Sequence, residues 1–184
     1  MQKLEKTINL FRLMLERGQC DYIGESINQI NHMLQAAFVA ESKQYASRVI
    51  IAALFHDIGH LLDAEQMPGG LGAKNHEILG ADYLQSLGMK EEVHRLVRNH
   101  VNAKRYLVSF SPSYAAQLSA ASLHTLQHQG GPMQKDEMKE FENLPFFHEC
   151  LQLRRCDEEA KMPNACNLEE ALLHFLPLVL EQFH

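Results

Sequence analysis

Val49 to Leu62 reads VIIAALFHDIGHLL, and its only ionisable side chains are His56, Asp57 and His60. A surface helix carries charge on its outer face, so this stretch predicts a helix over 48–62 that is buried on most sides. A buried carboxylate costs on the order of several kcal/mol unless something compensates it. For Asp57 that compensation is a metal ion, or else a helix N-terminus or a distant Arg. An adjacent His-Asp pair with another buried His close behind favours the metal. The preceding helix is as dry: from Ser26 to Ala40 there is no Asp, Glu, Lys or Arg. Its aliphatic stripe, Ile27, Ile30, Leu34, Ala37 and Phe38, leaves His32 on another face, an ionisable ring that needs a partner.

Outward from these two helices the same period holds. Apolar residues recur every three or four positions and no run alternates with a period of two. Helices are expected near 3–17, 27–42, 48–62, 74–87, 90–108, 119–129, 134–141, 146–160 and 168–181. Gly18, the Pro68–Gly72 loop, Gly88, Ser111-Pro112, Gly130-Gly131-Pro132, Pro145 and Pro163 stand between them. With no repeat and no long linker, the expectation is an all-α fold with residues 1–184 forming a single domain, a length that buries a real core.

Composition removes whole function classes. Seventeen Lys and Arg against 23 Asp and Glu give a net charge of -6, which excludes broad binding to nucleic acid or an anionic membrane but not a local basic pocket. No segment reaches the roughly 18 unbroken apolar residues of a membrane span. The N-terminus, MQKLEKTINLFRLMLERG, mixes charge with apolar residues at helical spacing, unlike a signal peptide. Cys20, Cys150, Cys156 and Cys166 show no paired spacing, as in a reduced, cytoplasmic protein.

Eleven residues are His. Besides His32 and His56, two more sit where the period demands an apolar residue: His76 and His100. Asp157 does the same on the face of Phe146, Cys150 and Leu153. Each alone reads as a satisfied core residue; together with Asp57 they make a set of six nitrogen and oxygen ligands. Six exceed what one ion with open positions uses and suit two ions, with Asp57 as the bridge. Such donors fit iron, manganese or zinc, and a metal pair polarises a phosphoryl oxygen, activates water or binds dioxygen. Lys104 lies one turn beyond His100 on the same face. Ser122, Thr125 and Gln129 form a polar stripe suited to a tetrahedral oxyanion, or equally a solvated face. His124 and His128 have a metal-pair spacing but read as surface; His94, His148, His174 and His184 show no constellation. Cys150 and Cys156 read as small core residues.

The pattern His32, His56-Asp57, Asp157 resembles the HD-domain superfamily, whose default activity is phosphohydrolysis, and His56–His60 resembles its HDIG variant. Three further segments are similar to the PhnZ-type oxygenases, mixed-valent di-iron HD-domain enzymes related to myo-inositol oxygenase: Asp21–Glu25 followed by Ile27–Gln29, Ala103–Val108, and Gln129–Met133. The resemblance runs from about residue 10 to about 162. It implies two iron ions, Fe(II)/Fe(III), with dioxygen as co-substrate. The reaction it implies is oxidative cleavage of the C–P bond of 2-amino-1-hydroxyethylphosphonate to glycine and phosphate. By the same resemblance His32, His56, Asp57, His76, His100 and Asp157 hold the irons. Tyr22 ligates one iron at rest and moves aside for substrate, and Glu25 faces the substrate ammonium. Lys104, Ser122, Thr125 and Gln129 hold the phosphonate, helped by His60 and Arg154. A trimethylammonio substrate, giving glycine betaine, is the alternative; the absence of Trp weakens the case for an aromatic cage. A hydrolase with two redox-inert metals, or a signalling module with a structural metal, are the remaining readings. The implied partner is a small hydroxyphosphonate, with no nucleic acid and no membrane; oligomeric state stays open.

Overall fold

A computed structural model of the chain describes residues 1–21, 26–67, 72–163 and 167–184. Its elements are α1 (Gln2–Arg17), α2 (Gln29–Ser42), α3 (Ser47–Phe55), a 3-10 segment (Ile58–Leu61), α4 (His76–Ser86), α5 (Glu91–Phe110), α6 (Pro112–Gln117), α7 (Ala120–His128), α8 (Lys135–Glu142), α9 (Phe147–Glu159) and α10 (Leu168–Glu181). The fold is all-α. Extended pairing among the described residues is limited to three isolated bridges, Asp21 with Asn28, Gln66 with Ala73 and Met89 with Phe183.

Helices α2, α3, α5 and α9 make the central bundle, with α4 laid against α5 and α1 against α10. The two charge-poor helices are its dry heart. All of Val49 to Phe55 is buried, as are Ile30, His32, Met33, Leu34, Ala36 and Ala37 on α2. Asn28 caps α2 by accepting from the Asn31 N–H, which fixes where the helix begins and therefore which way His32 points.

Two elements depart from the sequence expectation. The helix expected over 48–62 stops at Phe55, and the chain passes through Asp57 at φ -103, ψ 10 into the 3-10 segment. Apolar residues continue to Leu62, so the break leaves no mark in the hydrophobic pattern. Its cause is the close crossing with α4: a Cβ on Gly59 would lie 2.0 Å from the His76 carbonyl oxygen, and one on Gly80 3.1 Å from Gly59 N. Two glycines let the backbones touch and set His76 beside Asp57. The second departure is α6. Ser111-Pro112 was expected to interrupt the chain, but Ser111 Oγ accepts from the Tyr114 N–H and Pro112 opens the helix, the placement where a missing N–H costs nothing.

Candidate metal centre and its cleft

The six polar core residues come from five places in the bundle: His32 from the first turn of α2, His56 and Asp57 from just past the end of α3, His76 from the start of α4, His100 from α5 and Asp157 from α9. All six are at most 4% exposed. Asp57 stands between two pairs of imidazoles. Its Oδ2 is 3.3 Å from His56 Nε2 and 3.7 Å from His32 Nε2, while its Oδ1 is 3.4 Å from His76 Nε2 and 3.6 Å from His100 Nε2. Asp157 Oδ1 joins the first group, 3.3 Å from His32 Nε2. One carboxylate thus faces two clusters, one oxygen to each.

Ring orientation says what the clusters are for. His32 Nδ1 lies 2.8 Å from Ala160 O, His56 Nδ1 2.8 Å from Ala53 O and His100 Nδ1 2.7 Å from Val97 O. A carbonyl only accepts, so each Nδ1 carries the hydrogen and each Nε2 turns a lone pair inward. Yet Nε2 of His32 and His56 are 3.1 Å apart, and so are those of His76 and His100. For His32 and His56 these are facing lone pairs, which repel unless a cation sits between them; in the second pair His76 Nδ1 is buried with no hydrogen-bond partner, so only His100 has its tautomer fixed by a carbonyl. Two nitrogens each about 2.1 Å from one ion, at near a right angle, are roughly 3 Å apart. Asp157 adds an orphan: Arg154 donates to its Oδ2, whereas its buried Oδ1 has no hydrogen-bond partner. The donor set fits a pair of metal ions, and imidazole N–H groups bonded to backbone carbonyls are the usual support for such ligands.

The electrostatics agree. Burial would raise Asp57, but the His56 ring beside it holds it well below the usual carboxylate range. For Asp157 burial is likewise outweighed, by Arg154 first and then His56. Burial pulls His56 down, and Asp57 and Asp157 overcome it to bring the ring to about 9, so a proton competes with a metal ion for its inward Nε2. Negative charge therefore gathers where cations would lie.

A cleft opens on the second cluster. Lys104, Ser122, Thr125, Gln129, Arg154 and His60 line it together with Asp57, His76, His100 and Asp157. The polar stripe of α7 therefore faces inward. Lys104 is only 4% exposed and donates to Thr125 Oγ1 at 3.0 Å; burial, then Arg154, brings its pKa down to about 7. Arg154 Nε donates to Tyr114 OH at 2.8 Å, and its Nη2 to Glu158 and, at 3.5 Å, to Ser122 Oγ. His60 stacks on His76 with ring centroids 4.0 Å apart, and its Nδ1 accepts from the Ala73 N–H at 3.0 Å. That leaves its hydrogen on Nε2, 4.0 Å from Asp57 Oδ1; burial, then His76, lowers its pKa to about 3. His60 is a neutral donor at the cleft wall.

Tyr22 and Glu25 lie outside the described residues, as do Pro68 to Leu71 of the glycine loop and Cys166. His124 and His128 are exposed; Cys150 and Cys156 are buried. Four residues that sequence reasoning did not single out are wired to the centre. Gln29 donates to Asp57 Oδ2 at 2.9 Å, and Tyr114, Glu158 and Lys161 surround Arg154 and Ser122. Gln29 left a trace, being one turn before His32 in the uncharged stretch from Ser26 to Ala40. Glu158 and Lys161 read as ordinary surface charge beside a loop.

Residues 30–136 match the HD domain family model, and the chain belongs to that family. The matched stretch holds His32, His56, Asp57, His76 and His100; Asp157 follows it. Among its relatives the chain is 41% identical over 161 residues to a hydroxymethylphosphonate dioxygenase of Gimesia maris, covering 86% of this chain and 79% of that one. It is 37% identical over 165 residues to a [1-hydroxy-2-(trimethylamino)ethyl]phosphonate dioxygenase (glycine-betaine-forming) of Leisingera caerulea, covering 89% and 83%. An uncharacterised protein of Acanthamoeba polyphaga mimivirus is 41% identical over 165 residues, covering 88% of this chain and 74% of that one.

Proposed function

We propose that this protein is a di-iron oxygenase that uses dioxygen to cleave the C–P bond of a 1-hydroxyphosphonate. The observation that carries this is Asp57, which presents one oxygen to each of two inward-facing imidazole pairs and lines a cleft shared with Lys104 and Arg154. The names of the two dioxygenase relatives support the oxygenase reading over a hydrolase.

His32, His56, Asp57 and Asp157 would hold one iron; His76, His100 and the other oxygen of Asp57 the second. The iron pair, once bound, supplies the redox chemistry with dioxygen. Lys104 and Arg154 place positive charge against the phosphonate and so orient the hydroxyl-bearing carbon toward the second cluster. Ser122, Gln129 and the Nε2–H of His60 add hydrogen bonds at fixed positions. Tyr22 would ligate one iron at rest and give way to substrate. The carbon loses its hydrogen and its bond to phosphorus and becomes a carboxylate. That change consumes all four oxidising equivalents of dioxygen, so no external reductant enters the balance.

The substrate proposed is 2-amino-1-hydroxyethylphosphonate, giving glycine and phosphate, with Glu25 reading the ammonium. The Leisingera relative favours the trimethylammonio analogue as a second reading, and the Gimesia relative hydroxymethylphosphonate. Iron-loaded protein mixed with each of the three under air, with phosphate and the carboxylate product measured, separates them. Release is expected to stop without dioxygen. Phosphate release that continues undiminished under argon would overturn the oxygenase reading in favour of hydrolysis.

A further inference from the structure

Behind the cleft, between α7 and the end of α9, lies a chain of charged groups to which neither the family pattern nor the relatives' names give a role. Lys161 Nζ donates to Ser122 Oγ at 3.1 Å, to Ser119 Oγ at 3.0 Å and to Glu158 Oε1 at 2.8 Å. Glu158 accepts from Arg154 through its other oxygen. Arg154 Nη2 reaches Ser122 Oγ at 3.5 Å. The Lys161 side chain is 13% exposed and that of Glu158 16%, so these contacts are largely shielded from water.

A serine hydroxyl has two lone pairs and one hydrogen. On Ser122 both lone pairs face cationic N–H donors, which cannot accept in return. Its hydrogen has no acceptor among the described residues, and Ser122 lines the cleft. The neighbouring hydroxyl is wired the opposite way. Thr125 Oγ1 donates to the Ser122 backbone carbonyl at 3.1 Å while accepting from Lys104. Its hydrogen is committed to the helix, and Thr125 serves to aim Lys104.

We propose that Lys161 is a positioning residue: by donating to Ser122 Oγ it turns the Ser122 hydroxyl into a donor aimed at an acceptor-only oxyanion of the substrate. The inference rests on the phosphonate reading of the cleft and adds to it how one of the contacts is polarised. Lys161 does not touch the ligand. Because an oxyanion is held alike before and during reaction, loss of this device weakens binding and leaves the chemical step nearly alone.

The test uses iron-loaded, full-length protein and the hydroxyphosphonate it turns over. Lys161→Met is expected to raise KM by about tenfold, the size of a charge-assisted hydrogen bond, with kcat changed by less than about twofold. Lys161→Arg is expected to restore most of the loss. In a Ser122→Ala background Lys161→Met should add less than about twofold, since both act through one hydroxyl. Binding of inorganic phosphate, followed by calorimetry, should weaken in parallel, and thermal melts with iron content show whether each variant is folded and loaded. Unchanged KM and phosphate affinity in Lys161→Met, or losses that multiply with Ser122→Ala, overturn the proposal. Wild-type protein that binds phosphate but turns over no hydroxyphosphonate sinks the functional reading alone, because the phosphate measurement still reads Lys161. Wild-type protein that does neither overturns both.

Discussion

Asp57 and Lys104 carry the most at the residue scale. Asp57→Asn keeps the shape of the side chain and removes the charge facing both imidazole pairs, so bound iron is expected to fall from two ions per chain to one or fewer, measured by elemental analysis after loading. Lys104 makes the cleft sensitive to pH. Its pKa of about 7 means that above neutrality the amine is neutral, whereas a bound phosphonate favours the ammonium and lifts its pKa. Binding above pH 7 therefore takes up a proton. KM is expected to rise with pH there, by up to about tenfold per unit until the pKa of the complex is reached. The expected proton uptake appears as a dependence of binding heat on buffer. Lys104→Gln should bind weakly and lose that slope, which separates the lysine from ionisation of the phosphonate itself. His32, His56, Asp57 and Asp157 were legible in sequence because a charge on an otherwise dry helix face has to be compensated. Lys161 and Glu158 were not, since what makes them distinctive is their contact with Ser122 and Arg154 from another element.

At the scale of elements, the crossing of the 3-10 segment over α4 decides whether the second cluster exists. Gly59→Ala would drive a methyl into the His76 backbone carbonyl, where no side chain can rotate away. The expected cost is on the order of 2–4 kcal/mol, seen as a lower Tm, together with selective loss of the metal held by His76 and His100. The helices were legible from their period, and most boundaries fall within one or two residues of expectation. The break after Phe55 was not, because Ile58, Leu61 and Leu62 continue the apolar run while the reason to stop lies in α4, some twenty residues on. Helix α6 was missed because a Ser-Pro pair has two meanings, an interruption or an N-cap followed by a first helical residue, and composition does not choose between them.

For the whole molecule, metal and fold are thermodynamically linked. Four imidazoles and two carboxylates converge in the buried interior of the bundle, so ions that bind only the folded chain stabilise it. Each ion held at a hundred times its dissociation constant contributes about 2.7 kcal/mol, or roughly 5–10 °C in Tm for a chain of this length. Chelation is expected to lower Tm by that order while the helical circular dichroism at 25 °C stays the same; an unchanged Tm would show that the cluster holds no metal. The helix content should persist because the bundle is held by its aliphatic core, in which Leu34, Ile51, Leu54 and Phe55 are fully buried. His56 and His100 each tie their rings to a carbonyl one turn back in their own chain, and His32 to Ala160. Iron that entered after the bundle had closed would meet competition there from any other divalent ion within reach. Nitrogen and oxygen donors bind zinc at least as tightly as ferrous iron, so adulteration with zinc should give a stable, correctly folded and inert enzyme. Its activity in a cell would then report iron supply as much as the amount of protein.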